Sequence, residues 1–366
     1  MARRRLPAFV VEYLEGGAED ERTLHRNRET FDDHRFIHRV LADVSTRSPA
    51  STIFGTPSGL PLVIAPTGFN GLYWRNGDIA LARAAKQFDI PFTASIVSSD
   101  SIEAIAKEAG GRLWMMLLVI RDAHVIERLI ARARAVGCEV LVITVDAPVL
   151  GNRTWDNRNF ARPLVLSLRS KLDVLTHLRW LFGVLLPHGL PGFGNLDEFL
   201  PAGKTSPLDG SRWLTAQSNA GLAWEDIAAL RDRWPGKLVL KGVMAVADAV
   251  EAVRVGVDGV ILSNHGGRQL DGEAAPLDVL PDVVAAVGDK LEVLIDGGFR
   301  RGTDIVKALA LGARAVVLGR AALYGLAAGG EAGAVRTLEI LRAEIDRTMA
   351  LLGARTISDL SPSVFF

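Results

Sequence analysis

From residue 60 onward, short β-rich apolar runs alternate with segments of helical apolar spacing, and this rhythm constrains the fold more than any other feature. The runs fall at 60–66, 91–95, 113–120, 140–147, 238–243, 259–264, 292–297 and 315–319. Helical spacing follows at 78–88, 101–109, 123–135, 276–287, 302–311 and 334–352, among others. Continuous apolar runs are what strands buried on both faces require, with helices as the crossovers between them. Eight strand–helix units in this length predict an α/β fold, a closed (β/α)8 TIM barrel, rather than an open doubly wound sheet. The whole chain, 1–366, then reads as one barrel domain. Its charge-rich first 59 residues form an N-terminal helical extension packed on the barrel.

The rhythm breaks once. Residues 148–223 separate the fourth run from the next helix, whereas a strand–helix loop normally takes about 2–6 residues. An insertion after a barrel strand lies on the C-terminal face, so it is expected to act as a lid or a docking element. Its apolar centre, 178–187, sits beside Arg169, Lys171 and Arg179. Two readings stay open for it: a lid helix packed on the barrel, or a membrane foot or subunit contact.

Composition excludes several classes. The chain has 42 Lys+Arg and 42 Asp+Glu, and with no basic block it offers nucleic acid no phosphate-binding surface. A single cysteine, Cys138, rules out an intramolecular disulfide and a cysteine-based zinc cluster; its apolar neighbours mark it as a small core residue. The basic start Arg3-Arg4-Arg5 is followed by an apolar stretch that Glu12 breaks at once, so no signal peptide is expected. No apolar run is long enough to span a membrane. These features place the chain in the cytoplasm, with peripheral contact at the inner face of the membrane left open by the insertion.

Reactive residues of such a barrel belong at the C-terminal ends of the strands. Those ends carry Pro66-Thr67-Gly68, Ser95, Thr144 with Asp146, Lys241, Ser263-Asn264-His265, Asp296-Gly297-Gly298 and Gly319-Arg320. Glycines beside Arg300 and Arg320 after the seventh and eighth strands suit a phosphate, because backbone N–H groups and guanidinium forks converge on its oxygens. Without a G-x-G-x-x-G dinucleotide fingerprint, the phosphate handle points to a mononucleotide such as FMN rather than NAD. His265 is a candidate base, Asp146 its charge partner, and Arg268 a carboxylate holder. A lone histidine is more often structural, but four ionisable groups at strand ends reverse that reading here.

Together these residues resemble the FMN-dependent α-hydroxy acid oxidase and dehydrogenase family, most closely its mandelate dehydrogenase branch, with L-lactate dehydrogenases and glycolate oxidases beside it. The likeness runs from Tyr13-Leu14-Glu15-Gly16-Gly17 through the SNHGGRQLD block at 263–271 and DGGFRRG at 296–302 to LGRAALYG at 318–325. It implies FMN held at its phosphate by Gly298, Arg300, Gly319 and Arg320, with Asp296 and Gly297 in the same loop. Pro66, Thr67, Gly68, Ser95, Met116, Thr144 and Ser263 would line the ring or ribityl chain, and Lys241 would stand near flavin N1. Tyr13, Arg153 and Arg268 would hold the substrate carboxylate while His265 takes a proton and Asp146 steadies its charge. A homotetramer and an electron acceptor, O2 or a quinone or carrier, are further implications.

The chain departs from the family on the third strand. A Q-L-Y string there usually gives the flavin a Gln and the substrate a Tyr, and here Met116 and Leu118 stand in their places. Val97 replaces a tryptophan common among the oxidases, and Gly68 an alanine. Small groups at 68 and 97 plus Leu118 imply a wide apolar pocket for an aromatic or long-chain 2-hydroxy acid; repacking around an unchanged substrate is the competing account. The departures also keep open a different carboxylate substrate, such as a 2-amino acid or biosynthetic intermediate. A flavin-binding barrel without turnover is the third alternative, disfavoured by six retained ionisable groups.

Overall fold

A computed structural model describes residues 1–154, 158–162, 165–201 and 206–366. Eight parallel strands close into a barrel: β1 (Leu62–Ile64), β2 (Phe92–Ser95), β3 (Leu113–Leu118), β4 (Val140–Thr144), β5 (Lys237–Val243), β6 (Gly259–Leu262), β7 (Glu292–Ile295) and β8 (Ala315–Leu318). They pair in chain order, and β8 closes on β1 through Val316–Leu62 and Leu318–Ile64. Side chains alternate between two apolar surroundings. Val63, Trp114, Val142, Val239, Ile261 and Leu294 fill the interior, while their strand neighbours pack outward under the helices. Both faces are dry, which is why the strands read as unbroken apolar runs.

The ring of helices comprises α1 (Gly77–Gln87), α2 (Ile102–Glu108), α3 (Ala123–Ala135), α4 (Trp224–Arg233), α5 (Val246–Arg254), α6 (Pro276–Val287), α7 (Gly302–Ala310) and α8 (Arg320–Leu352). Ser101 and Asp122 cap α2 and α3 by accepting from free N–H groups of the first turn. The last helix starts directly after β8, not at 334 as its spacing suggests. Non-helical backbone at Gly329 and Gly330 kinks it, and the glycine-rich first half conceals its periodicity.

The barrel is plugged at one end and open at the other. A hairpin, Ser51–Ile53 paired with Thr56–Ser58, carries Ile53 and Phe54 against the interior cluster, with Phe54 5.7 Å from the Trp114 ring. At the opposite end six of the eight strands stop sooner than the apolar runs. The fourth ends at Thr144 rather than 147 and the sixth at Leu262 rather than 264, leaving their polar residues in loops above the sheet. A bulge adds to this. Ile261 pairs with Lys241 but Leu262 pairs with Val243, skipping Gly242 at φ +105°. A side chain at Gly242 would collide with the Asp146 Cβ, so only glycine lets the two loops meet.

The extension is helical, as expected, with helices at Ala2–Arg5, Ala8–Glu15 and Arg22–Glu29. It is tied to the open end by the reciprocal amide pair of Asn27 and Asn264 at 2.9 and 2.8 Å. The insertion leaves the barrel after β4 and returns at α4. Its apolar centre divides between the two open readings. Trp180, Leu181 and Val184 are buried; Trp180 packs edge-on to Phe9 and donates its indole N–H to the Leu72 carbonyl at 2.6 Å. Leu178, Phe182 and Leu186 face outward, continuing the exposed stripe of Leu168, Leu172 and Leu175 on the preceding helix, Leu168–Thr176.

Candidate active site

A cavity of about 1420 Å³ occupies the open end. Pro66, Thr67 and Gly68 enter it after β1, Ser95 from β2, Met116 and Leu118 from β3, and Thr144 from β4. Lys241, His265, Asp296, Gly297, Gly298, Arg300, Gly319 and Arg320 continue the wall from β5 to β8, and Tyr13, Arg153 and Arg268 close it from the extension and loops. Two predicted site residues stand behind this wall. Ser263, fully buried, accepts from the Lys241 Nζ at 2.7 Å and from the His265 N–H at 3.1 Å. Asp146 lies behind His265.

The His265 Nδ1 is 3.1 Å from each carboxylate oxygen of Asp146. That contact assigns Nδ1–H as the donor and leaves Nε2 with a free lone pair, the tautomer a base requires. His265 itself adopts φ +58°, an uncommon conformation outside glycine, and Gly266 and Gly267 follow it in the left-handed region. Burial alone would raise the Asp146 carboxyl; the His265 and Lys241 charges more than offset it and hold the group below its ordinary value. A depressed folded pKa stabilises the fold above the unfolded value of about 3.9, and that contribution is lost as pH falls through the folded pKa. The unfolding free-energy difference between wild type and Asp146→Asn is therefore expected to shrink as pH falls below about pH 4, as urea titrations at stepped pH would show.

Lys241 is buried and pairs with Asp296 at 3.0 Å. Burial works against its charge, but Asp296 and Asp146 outweigh burial and raise its pKa. Two buried atoms beside this pair, the Thr144 Oγ1 and the Asp296 Oδ1, have no hydrogen-bond partner among the described residues. Buried polar atoms normally find partners, and a water or a bound molecule in the cavity could supply them here.

Three guanidinium groups gather at the far side. Arg320 donates to the carbonyls of Leu14, Gly266 and Gly16 at 3.1, 2.9 and 3.0 Å, and Arg268 donates to those of Tyr13 and Gly16 at 3.0 and 2.6 Å. The carbonyls hold the forks in place. Burial, then repulsion from Arg268 and Arg300, lowers Arg320 to about 9, and burial lowers Arg300 as well. Converging guanidinium groups on a cavity wall suit anionic ligands, a phosphate beside Arg300 and Arg320 and a carboxylate beside Arg268. A methyl group at Gly319 would meet only open space, so the backbone there is accessible to a ligand.

The third-strand departures are real features of the wall, but the expectation at position 68 changes. A Cβ at Gly68 would sit 2.8 Å from the Val97 Cγ2, so Val97 takes up the space that the small residue vacates. Gly68, Val97 and Leu118 all line the cavity, together with Leu214 and Leu222 of the insertion. The sequence reading also passed over Gln269, whose side chain donates to the Asp146 and Val149 carbonyls at 2.8 and 3.0 Å and accepts from the Gly151 N–H at 3.0 Å. It passed over the Asp78 clamp too. This fully buried carboxyl accepts from Asn70 at 2.7 Å and from the Ser99 N–H at 2.9 Å, tying the loop after β1 to the loop after β2. Neither has a spacing signal, because each acts between distant segments. Cys138 is buried and its thiol is pushed up to about 12 by burial, so it takes no part.

Known proteins share this fold. The profile of the FMN-dependent dehydrogenase family matches residues 2–366. The (S)-mandelate dehydrogenase of Pseudomonas putida is 46% identical over 364 residues, 99% of this chain and 91% of that protein. An L-lactate dehydrogenase of Caulobacter vibrioides is 41% identical over 367 residues, 99% of this chain and 94% of its own. A crystal structure described as that of the monotopic membrane protein (S)-mandelate dehydrogenase superposes with a TM-score of 0.95 at 45% identity, covering 100% of this chain and 96% of that one. The chain belongs to the family of FMN-dependent dehydrogenases.

Proposed function

We propose that this chain oxidises a 2-hydroxy acid with a bulky or aromatic side chain to the 2-oxo acid, with FMN as cofactor and His265 as base. The observation that carries the reading is the His265–Asp146 pair set in the wall of a cavity whose other side is lined by arginines. The residues present fit FMN: Gly298, Arg300, Gly319 and Arg320 for its phosphate, Thr144 and Asp296 with their unpartnered oxygens, and Lys241 for negative charge on the ring. FMN, when bound, supplies the two-electron acceptor for the substrate's α-carbon. Arg268, Arg153 and Tyr13 orient the carboxylate, which fixes the α-carbon and its hydroxyl relative to His265. The imidazole Nε2 takes a proton from the substrate, and the Asp146 carboxylate stabilises the imidazolium.

Anaerobic titration of the yellow protein tests this. Bleaching of the visible flavin band by mandelate or another 2-hydroxy acid is the expected result. Bleaching only by 2-amino acids, or none by any carboxylate, overturns it.

The exposed stripe of Leu168, Leu172, Leu175, Leu178, Phe182 and Leu186, flanked by exposed Arg169, Lys171 and Arg179, supports peripheral attachment to an anionic membrane and a quinone acceptor drawn from it. No helix among the described residues is long and apolar enough to cross a membrane. Exchanging Leu172, Leu175 and Phe182 together for Asp is expected to release the protein from sedimenting vesicles that contain anionic lipid, without changing its flavin spectrum. Residues 178–186 are unsuitable for deletion, because Trp180 and Val184 belong to the core.

A further inference from the structure

We infer, building on the proposed use of FMN, that Arg28 of the N-terminal extension is a positioning residue for the cofactor's phosphate. Its guanidinium joins the Gly298 carbonyl and the Asp304 carboxylate, which stand on either side of Arg300 in the chain. The Arg28 Nη1 donates to both groups, reaching Asp304 at 2.7 Å. Asp304 is buried in the first turn of α7 and accepts from the Arg300 and Arg301 N–H groups at 2.8 and 3.0 Å. One cation therefore fixes the backbone before and after Arg300. Arg28 does this from behind, since Gly298 and Arg300 line the cavity and Arg28 does not.

Its neighbours continue the clasp. A Cβ at Gly298 would lie 1.8 Å from the Asn27 carbonyl oxygen, so the loop is pressed against the extension helix Arg22–Glu29. Phe299 packs edge-on to Phe31 with 5.0 Å between ring centres, and the Lys307 ammonium of α7 donates to the Phe31 carbonyl at 2.7 Å. Charge gives Arg28 a second task. Asp304 is bonded to the Arg300 N–H, so its negative charge stands close to any phosphate that Arg300 binds. Solvent screens such a repulsion poorly when the carboxylate is buried, and Arg28 offsets it by direct contact.

The test compares two flavins that differ only in the phosphate. Full-length apoprotein is titrated with FMN and with riboflavin, and quenching of flavin fluorescence reads each dissociation constant. Arg28→Met is expected to weaken FMN about 10- to 100-fold, as for a lost hydrogen bond to a charged group, and to leave riboflavin within about threefold. Arg28→Lys keeps the charge and should fall between. Adding Asp304→Asn to Arg28→Met should recover part of the FMN loss, because the amide oxygen still accepts from Arg300 and Arg301 but carries no charge. Equal weakening of both flavins overturns the proposal, since Arg28 then supports the barrel as a whole; an unchanged FMN constant overturns it too. Hydrogen exchange in the wild type decides the matter if Arg28→Met does not fold. At matched occupancy FMN should slow exchange at residues 27–31 more than riboflavin does, and equal slowing overturns the assignment. A wild-type protein that binds neither flavin overturns the FMN reading itself.

Discussion

His265→Asn is expected to slow substrate-driven flavin reduction about 10²- to 10⁴-fold, the usual contribution of a positioned general base. Asparagine is the informative replacement because position 265 has φ +58°, a conformation it tolerates better than other non-glycine residues. Its amide can still donate to Asp146, so the loop from Ser263 to Gly267 should hold its shape and the substrate's apparent affinity should change little. What disappears is the lone pair facing the cavity. Stopped-flow bleaching under anaerobic conditions measures the limiting rate directly. A variant within threefold of wild type would remove His265 from the chemistry and move the search to another group in the wall. Asp146→Asn should also slow the step, since an amide does not stabilise the imidazolium charge.

Lys241→Met is expected to cost about 3–5 kcal/mol of stability, because it leaves the Asp296 carboxylate buried beside an apolar side chain. The pair is almost wholly enclosed, with the two side chains 6% and 11% exposed, so water offers little compensation. Removing both charges together is the control. Lys241→Met with Asp296→Asn should recover much of the loss, since neutralising both partners costs less than stranding one. Chemical denaturation of the FMN-loaded proteins reads the difference as a shift in midpoint at constant slope. A single variant as stable as wild type would show that Asp296 is either protonated or hydrated in the native protein.

Much of the fold can be read along the chain because its rules are local. All eight barrel strands coincide with apolar runs, and α3 and α6 span the residues that their spacing marks out. The same locality explains the errors. The apolar runs overshoot the strands because hydrophobicity continues where sheet pairing stops. The first half of α8 stayed hidden because Gly325, Gly329 and Gly330 look like loop residues in isolation, yet the helix packs closely against α1 and kinks where it must.

The site was legible to a different degree. Strand-end position alone drew attention to Lys241, His265, Asp296 and Arg320, since a barrel places the end of every strand on one face. Shared strand-end placement also suggested Asp146 as the charge partner of His265, 119 positions away, and the two are in contact. Nothing in the sequence paired Asn27 with Asn264 across 237 positions, since no spacing rule reaches that far.

The sequence by itself therefore determined the barrel, the face that bears the site, and the polar residues delivered to it, because periodicity and strand ends are properties of single segments. Only the tertiary structure decided which side of the 178–187 stretch is core and which is exposed. It alone showed that Val97 fills the space beside Gly68, and that Gln269 fastens the backbone of Val149 to that of Asp146, the partner of His265. These outcomes depend on which distant segments share a volume, and close packing settles that only once every segment is in place.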